Sequence, residues 1–528
     1  MPRLIRFHWQ NLILVVFVFF CGVDIAKAES GTAMLSEYFD LVMSGNFESA
    51  EQYWTPESKA NANRFGIEYI NIPLKIDCTS PAVRNPGLLH QFPPLAMSEG
   101  TALASDEYMR FNVEFTAGDG KLEHHYLTYS KDGYYWLMFP QDYFSSGWPE
   151  IQTKYLLIKY DPATETVVNT LALDEFDRYI TRAADSLGLS QDDMKHLEKE
   201  KLRYFLCQNE TQVKDITGYL VKGTYDLASD DIISSFFPHF HEVTHFLVNY
   251  KLRKLHLYTL PIMREGVAVY LAGRWGKAPA SLLALGGNLY QMQMVELDSI
   301  LTMQGFEQSA GSDLAYPLAG LFTAFLRTKI SFADYLELYR YLSGEFDDLY
   351  KLSPDDIKTI FAEALSEPDW DTVRAGFDRF VAQWLAGNAG IYPGDIDGGK
   401  ALFESPAINI TEKDGWLSLT VKDTTGSPQG NILVGKNSAL DGKVSSLFDE
   451  QYQAREKLDS HRYGIRFDRN EAGVYDYATN HLVAKYIWGI TPSENYYSDT
   501  DNTLHLRFKK DLIGGADIAP DKIRVLPH

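Results

Sequence analysis

Two histidines four residues apart constrain this chain more than any other feature of it. His241 and His245 frame Glu242 in the stretch H-E-V-T-H. On a helix, positions i and i+4 lie one above the other, so both imidazoles can reach a single metal ion. Val243, Phe246, Leu247 and Tyr250 recur at i, i+3, i+4 and i+7 and form an apolar stripe on the opposite face. The spacing therefore predicts an amphipathic helix with both histidines on its polar side. Glu242, beside the first histidine, is placed to hold and deprotonate a metal-bound water. A third ligand has to come from elsewhere in the chain. Glu265, twenty residues after His245, is the candidate, on a second helix that starts at Pro261, with Gly266 leaving room for close approach. Catalytic zinc sites commonly combine two histidines with one carboxylate and keep a fourth position for water.

The pattern His241-Glu242-x-x-His245, nineteen intervening residues, then Glu265-Gly266-x-Ala268-x-Tyr270 resembles the gluzincin metallopeptidases, in particular the peptidase-MA-like group. The interval equals the thermolysin-type spacing and is one residue longer than in the aminopeptidase branch. Further on, Tyr316-Pro-Leu-Ala-Gly-Leu-Phe-x-x-Phe-Leu resembles the helix of these enzymes that opens with a tyrosine. The resemblance spans roughly residues 150–388. It implies one catalytic Zn2+ held by His241, His245 and Glu265, with Glu242 as the general base that passes a proton to the leaving amine. It implies that Tyr316 stabilises the oxyanion, a contribution of roughly 3 kcal/mol in such sites. It also implies that a strand Asp231–Phe237, just ahead of the metal helix, pairs with an extended substrate as an exposed sheet edge can.

Two departures from the family pattern stand out. The exopeptidase motif G-x-M-E-N is absent upstream, so recognition of a free N-terminus has no visible support. Val269 stands one turn after Glu265, where thermolysin-type enzymes carry a carboxylate, so another group has to orient the ligands. His239 and His256 lie near the motif in sequence, either as substrate or supporting contacts or as solvated and structural residues.

Residues 1–28 read as an export signal. Arg3 and Arg6 precede the apolar run Leu12–Val23, and Ala26-Lys27-Ala28 places small residues for cleavage before Glu29. An uncleaved anchor is the alternative, although the run is short for a full span; a lipid-modified Cys21 is weaker still. No later segment is long and apolar enough to cross a bilayer, so the mature chain is not expected to be an integral membrane protein. The destination is periplasmic or secreted. The formal charge is −22; loss of Arg3, Arg6 and Lys27 against Asp24 leaves −24 on the mature chain. Such a balance argues against nucleic acid or an acidic membrane surface as the main partner.

Residues 29–145 predict two helices, the second ended by Pro56, then strands over Ile67–Cys78, Tyr108–Thr116, Leu122–Tyr129 and Tyr134–Phe139. The helix start G-N-F-E, the T-P-E-S stretch and the K-D-G-Y-Y-W-L strand resemble the nuclear-transport-factor-two-like (SnoaL-like) fold. That resemblance implies a domain that binds small ligands, oligomerises or serves as a spacer. His124 and His125 alternate sides of a strand and so do not share a metal. Pro140–Pro149 reads as a linker. Short strands over Tyr219–Lys222 and Asp231–Phe237 lead into the metal helix, and from Tyr290 to about residue 388 the pattern is a helical bundle.

Residues 398–528 alternate like a small antiparallel β domain, sandwich-like, with a cluster of Tyr452, Tyr463, Tyr475, Tyr477, Trp488, Tyr496 and Tyr497. Exposed, these rings could stack on a glycan or a protein partner; buried, they fill a core. Cys78 and Cys207 could pair and tie the first domain to the second, or remain two buried thiols. The whole reads as a multidomain α+β protein: a cystatin/SnoaL-like N-terminal domain, a gluzincin-like α+β domain with a helical bundle, and an antiparallel β domain. The expected function is an exported zinc endopeptidase acting on peptides or proteins. The alternative is a non-catalytic cell-envelope binding protein with a structural or vestigial zinc site.

Overall fold

The structure is a computed structural model describing residues 30–84, 96–97, 100–103, 105, 107–117, 120–274, 276–310, 314–388, 400–422, 430–436, 461–468, 471–477, 479, 481–487, 496–498, 502–513 and 523–527. The export signal with Cys21, together with Tyr452, Trp488 and the side chains of Tyr496 and Tyr497, lies outside the described residues. The chain is a mixed α+β protein.

It opens with helices α1 (Gly31–Met43), α2 (Phe47–Glu51) and α3 (Pro56–Asn63). Strands β1 (Tyr108–Ala117), β2 (Gly120–Lys131) and β3 (Tyr134–Met138) then pair antiparallel. Helix α1 lays Leu35, Tyr38, Phe39 and Val42 on this sheet, with Phe39 edge-on to Phe115 and Tyr126 at 5.9 and 5.6 Å. Pro56 begins a helix instead of ending one. Thr55 caps it, accepting from the Ser58 N–H at 3.2 Å, and a proline in the first turn gives up no helical hydrogen bond. The expected strand Ile67–Cys78 is reduced to Glu68–Tyr69 and a 3-10 turn at Lys75–Asp77. Pro73 within that run supplies no ladder donor, and the two strand residues pair in parallel with Lys254–Leu255.

The central sheet is built from β4 (Glu150–Gln152), β5 (Leu156–Tyr160), β6 (Leu202–Leu206), β7 (Gly223–Asp226) and β8 (Asp231–Ser234), with helix α4 (Thr170–Leu187) between β5 and β6. Its spatial order is β7-β8-β6-β5-β4, with the inner three strands parallel and both edges antiparallel. The stretch expected to form an exposed edge, Asp231–Phe237, is thus an interior strand, buried throughout β8. The edge is β7, which begins at Gly223, just after the predicted Tyr219–Lys222. A turn folds it back on β8: Asp226 accepts from the Ala228 N–H and the Ser229 hydroxyl, and Asp230 adopts φ 58°.

The expected linker Pro140–Pro149 is likewise built in. Pro140–Phe144 is a short helix whose buried Gln141 donates to Asp231 Oδ2 and Ser229 Oγ, each at 2.9 Å. Asp231 also pairs with Arg203 and with Arg64 at 3.0 Å, while Lys75 reaches Asp230 at 2.6 Å. Burial alone would raise the Asp231 carboxyl, but the guanidinium groups of Arg203 and Arg64 hold it down to about 2. One hydrophobic core runs unbroken from Met34 to Leu385 across this seam. Cys78 and Cys207 are two free, buried thiols.

Helices α5 (Phe240–Leu252), α6 (Pro261–Ala272), α7 (Pro279–Gln291) and α8 (Ala315–Lys329) follow, and Phe332–Tyr341, Pro354–Ala364 and Trp370–Asn388 complete the helical part. Helix α7 starts the run earlier than the Tyr290 boundary that the sequence pattern marks. Beyond residue 400, two five-stranded antiparallel sheets bury a separate core that includes Leu419, Ile432, Ile465 and Leu504. Tyr463 and Tyr477 are buried and Tyr475 half-buried, so these rings fill the interior. This unit docks through Leu482, whose N–H donates to Gly276 O at 2.5 Å and whose carbonyl accepts from Ala278 N–H at 3.0 Å. Among the described residues no helix is long and apolar enough to cross a membrane.

Candidate metal centre

Helix α5 carries its chemistry on one face and its packing on the other. Val243, Phe246, Leu247 and Tyr250 are fully buried, with Phe246 against Phe65 at 4.8 Å between ring centres. Thr244 meets the hydroxyl of Tyr179 from α4. His241 and His245 project away from this core, their rings 4.9 Å apart and nearly perpendicular. Helix α6 supplies Glu265, which is 7% exposed. Its position depends on Gly266: a Cβ there would fall 2.8 Å from the Ala319 carbonyl and 2.5 Å from Thr323 Oγ1. Val269 packs in the reverse direction, where a Cβ on Gly320 would lie 2.4 Å from Val269 Cγ1. The two helices therefore run nearly backbone to backbone, which fixes where Glu265 emerges.

The donor atoms of His241, His245 and Glu265 all lie within 4.8 Å of one another. Glu265 Oε2 is 3.1 Å from His241 Nε2 and 3.4 Å from His245 Nε2. His241 Nδ1 is 2.8 Å from the Gly273 carbonyl. A carbonyl can only accept, so Nδ1 carries a proton, and Nε2 is the atom that faces Glu265. At 3.1 Å, His241 Nε2 and Glu265 Oε2 are close enough to share a proton or to turn together toward a metal ion. Two imidazole nitrogens and a carboxylate oxygen are a donor set that would suit zinc, and all three residues line one cavity.

Arg264 answers the question raised by Val269. Its Nε donates to Glu265 Oε1 at 2.9 Å and leaves Oε2 facing the imidazoles. Burial would raise Glu265, but His245, Arg264 and the contact with His241 hold its carboxyl well below the usual carboxylate range.

These groups open onto a cavity of about 630 Å³ that is also lined by Glu242 and Tyr316. Glu242 Oε2 accepts from the backbone N–H of Tyr225 at 2.9 Å. The ring of Tyr316 lies under the Arg274 guanidinium, 3.3 Å from its centroid, and edge-on to Phe306. Gly223, Thr224 and Tyr225 of β7 line the cavity, whereas no residue of 231–237 does. His239 is 2% exposed; its Nδ1 meets Ser234 Oγ at 2.9 Å and its Nε2 stands 3.8 Å from Glu242 Oε1. Burial above all, then the neighbouring His241 and His245, holds it well below the ordinary histidine range and therefore neutral. His256 is not among the lining residues. His124 and His125 sit elsewhere, beside Asp77 and Asn112 respectively.

Arg264, Gly273 and Tyr225 were not singled out by the sequence pattern. Arg264 was readable, as the cation adjacent to the third ligand. Gly273 lies 32 residues from His241, and Tyr225 required knowledge of the hairpin at Asp226–Asp231. The arrangement brings together two histidines and a carboxylate that could hold a metal ion, with Glu242 lining the same cavity. Comparison with protein-family profiles, with curated proteins and with solved structures finds no match to this chain.

Proposed function

We propose that this chain is an exported zinc metallopeptidase of the gluzincin type that hydrolyses peptide bonds within peptide or protein substrates. The observation that carries the proposal is the convergence of His241, His245 and Glu265 in one cavity with Glu242 and Tyr316. Zinc held by the three ligands would supply Lewis acidity at the scissile carbonyl. Glu242, with Oε2 anchored by Tyr225, takes a proton from the attacking water through Oε1 and returns it to the leaving amine. Tyr316 donates its hydroxyl to the developing oxyanion, with the Arg274 cation over its ring favouring the negative charge. The outer edge of β7 holds an extended substrate by main-chain pairing, the role expected from sequence for Asp231–Phe237.

On this reading residues 150–388 are the peptidase unit, 29–145 a SnoaL-like unit and 398–528 a sandwich-like accessory unit that is free to recruit a protein or glycan partner. Residues 1–28 direct the chain to the periplasm or beyond it. The test compares wild-type protein and Glu242→Gln at equal zinc content on a broad peptide library. The wild type should cleave, and the variant should lose about 10²–10⁴-fold in rate with zinc retained. Absence of cleavage by fully zinc-loaded wild type, or undiminished turnover by the variant, would overturn the proposal.

A further inference from the structure

A second cavity, of about 210 Å³, shares Thr224, Tyr225 and Leu227 with the lining of the metal cavity. The N-terminal segment contributes Trp54, Asp77, His124 and Tyr126 to its lining, and the stretch from Ile216 to Ala228 contributes Tyr219 and Tyr225. It is therefore a space between two parts of the chain, not one inside the N-terminal sheet.

Its polar focus is Asp77, which is 2% exposed. Oδ2 accepts from the hydroxyls of Tyr38 at 2.6 Å and Tyr126 at 2.9 Å. Among the described residues Oδ1 accepts no hydrogen bond, and His124 Nε2 stands 3.8 Å away. His124 cannot serve as its counter-charge. Burial first, then His125 and Arg84, pushes that imidazole down to about 3, so it is neutral. No lysine or arginine lines the cavity among the described residues, whereas Glu123 and Asp226 add two more carboxyl groups. Trp54, Tyr126, Phe139, Tyr219 and Tyr225 contribute rings to walls that also carry aliphatic side chains such as Ile76, Leu127 and Ile216. A buried carboxylate oxygen that accepts no hydrogen bond among the described residues, with rings close by and no lysine or arginine among the described lining residues, has the chemistry of an ammonium site. A metal ion fits less well, since the one three-donor cluster among the described residues is His241, His245 and Glu265.

We infer that this cavity binds a small organic amine, of about ten non-hydrogen atoms, with its ammonium on Asp77 Oδ1 and its apolar body against Trp54, Tyr126 and Tyr219. The space exceeds what a benzene-sized guest requires but not by much, which sets the size.

The experiment uses the full chain at about pH 8, above the value of about 7 to which burial raises Asp77, so that the carboxylate is charged. Isothermal titration calorimetry with 2-phenylethylamine, 2-phenylethanol and 3-phenylpropionate presents nearly the same body with positive, neutral and negative ends. The amine should bind, the alcohol at least about tenfold more weakly, and the anion more weakly again. Asp77→Asn should lower amine affinity at least about tenfold without changing circular dichroism. Because that variant alters a buried network, Tyr219→Ala provides a second check at an exposed wall residue and should also weaken the amine. Failure of the amine to bind at millimolar concentration, equal binding of the alcohol, or unchanged affinity in a folded Asp77→Asn and in Tyr219→Ala would overturn the inference.

Discussion

The carbonyl of Gly273 fixes the tautomer of His241 across 2.8 Å, so the end of one helix determines which nitrogen of another is free to bind metal. Gly273 can do this because its backbone sits at φ 73°, ψ −156°, a conformation essentially reserved for glycine. A Cβ there would lie 1.9 Å from the Lys277 carbonyl. Gly273→Ala should therefore displace the carbonyl and lower zinc affinity about 10–100-fold, as losses of such supporting contacts do. Competition with a chelator measures this, and unchanged affinity would show that His241 is held by other means.

Arg264 should matter to the metal more than to the fold. Its guanidinium pairs with Glu265 Oε1. Arg264→Met keeps most of the aliphatic stem but removes the donor, leaving Glu265 free to rotate. Zinc affinity should fall about tenfold or more while the melting temperature of the zinc-free protein stays within a few degrees. A large loss of zinc-free stability with no change in metal affinity would assign Arg264 a purely structural role.

Tyr316→Phe separates binding from chemistry. The ring keeps its contacts with Arg274 and Phe306, so metal content and KM should hold. Loss of the hydroxyl should lower kcat about 10²-fold if it faces the oxyanion. Steady-state kinetics on any substrate identified for the wild type decides this, and wild-type kcat in the variant would remove Tyr316 from the mechanism.

Asp231 ties the N-terminal segment to the central sheet. Asp231→Asn would leave Arg64 and Arg203 buried without their shared carboxylate, at a cost of about 3–5 kcal/mol near neutral pH. Its folded pKa is depressed to about 2 from an ordinary 3.8. The unfolded chain then binds the proton first as pH falls, so this stabilisation is complete above the ordinary value and is lost as pH drops through about 2. Melting temperatures of wild type and variant should accordingly converge on acidification. A gap independent of pH would show that the pair contributes through packing alone.

What the sequence made legible was local. The pairing of His241 with His245 follows from helical periodicity, and Pro261 marks the start of the helix that presents Glu265. What remained hidden depends on contacts between distant residues. Arg64 and Asp231 are 167 positions apart, and nothing near either predicts the other. The expectation that Asp231–Phe237 forms a free edge failed because the Asp226–Asp231 turn returns a further strand, β7, to its outer side. The strand expected over Ile67–Cys78 failed because Pro73 interrupts the run, and only Glu68–Tyr69 pair, with Lys254–Leu255.

Strand β7 is a party wall. Thr224 and Tyr225 of this strand, with Leu227 in the turn just beyond it, line both the metal cavity and the Asp77 cavity, and the Tyr225 N–H is fastened to Glu242. A guest that shifts this partition from one side changes the room on the other. Thermodynamic reciprocity then requires that each occupant alter the other's affinity by the same factor.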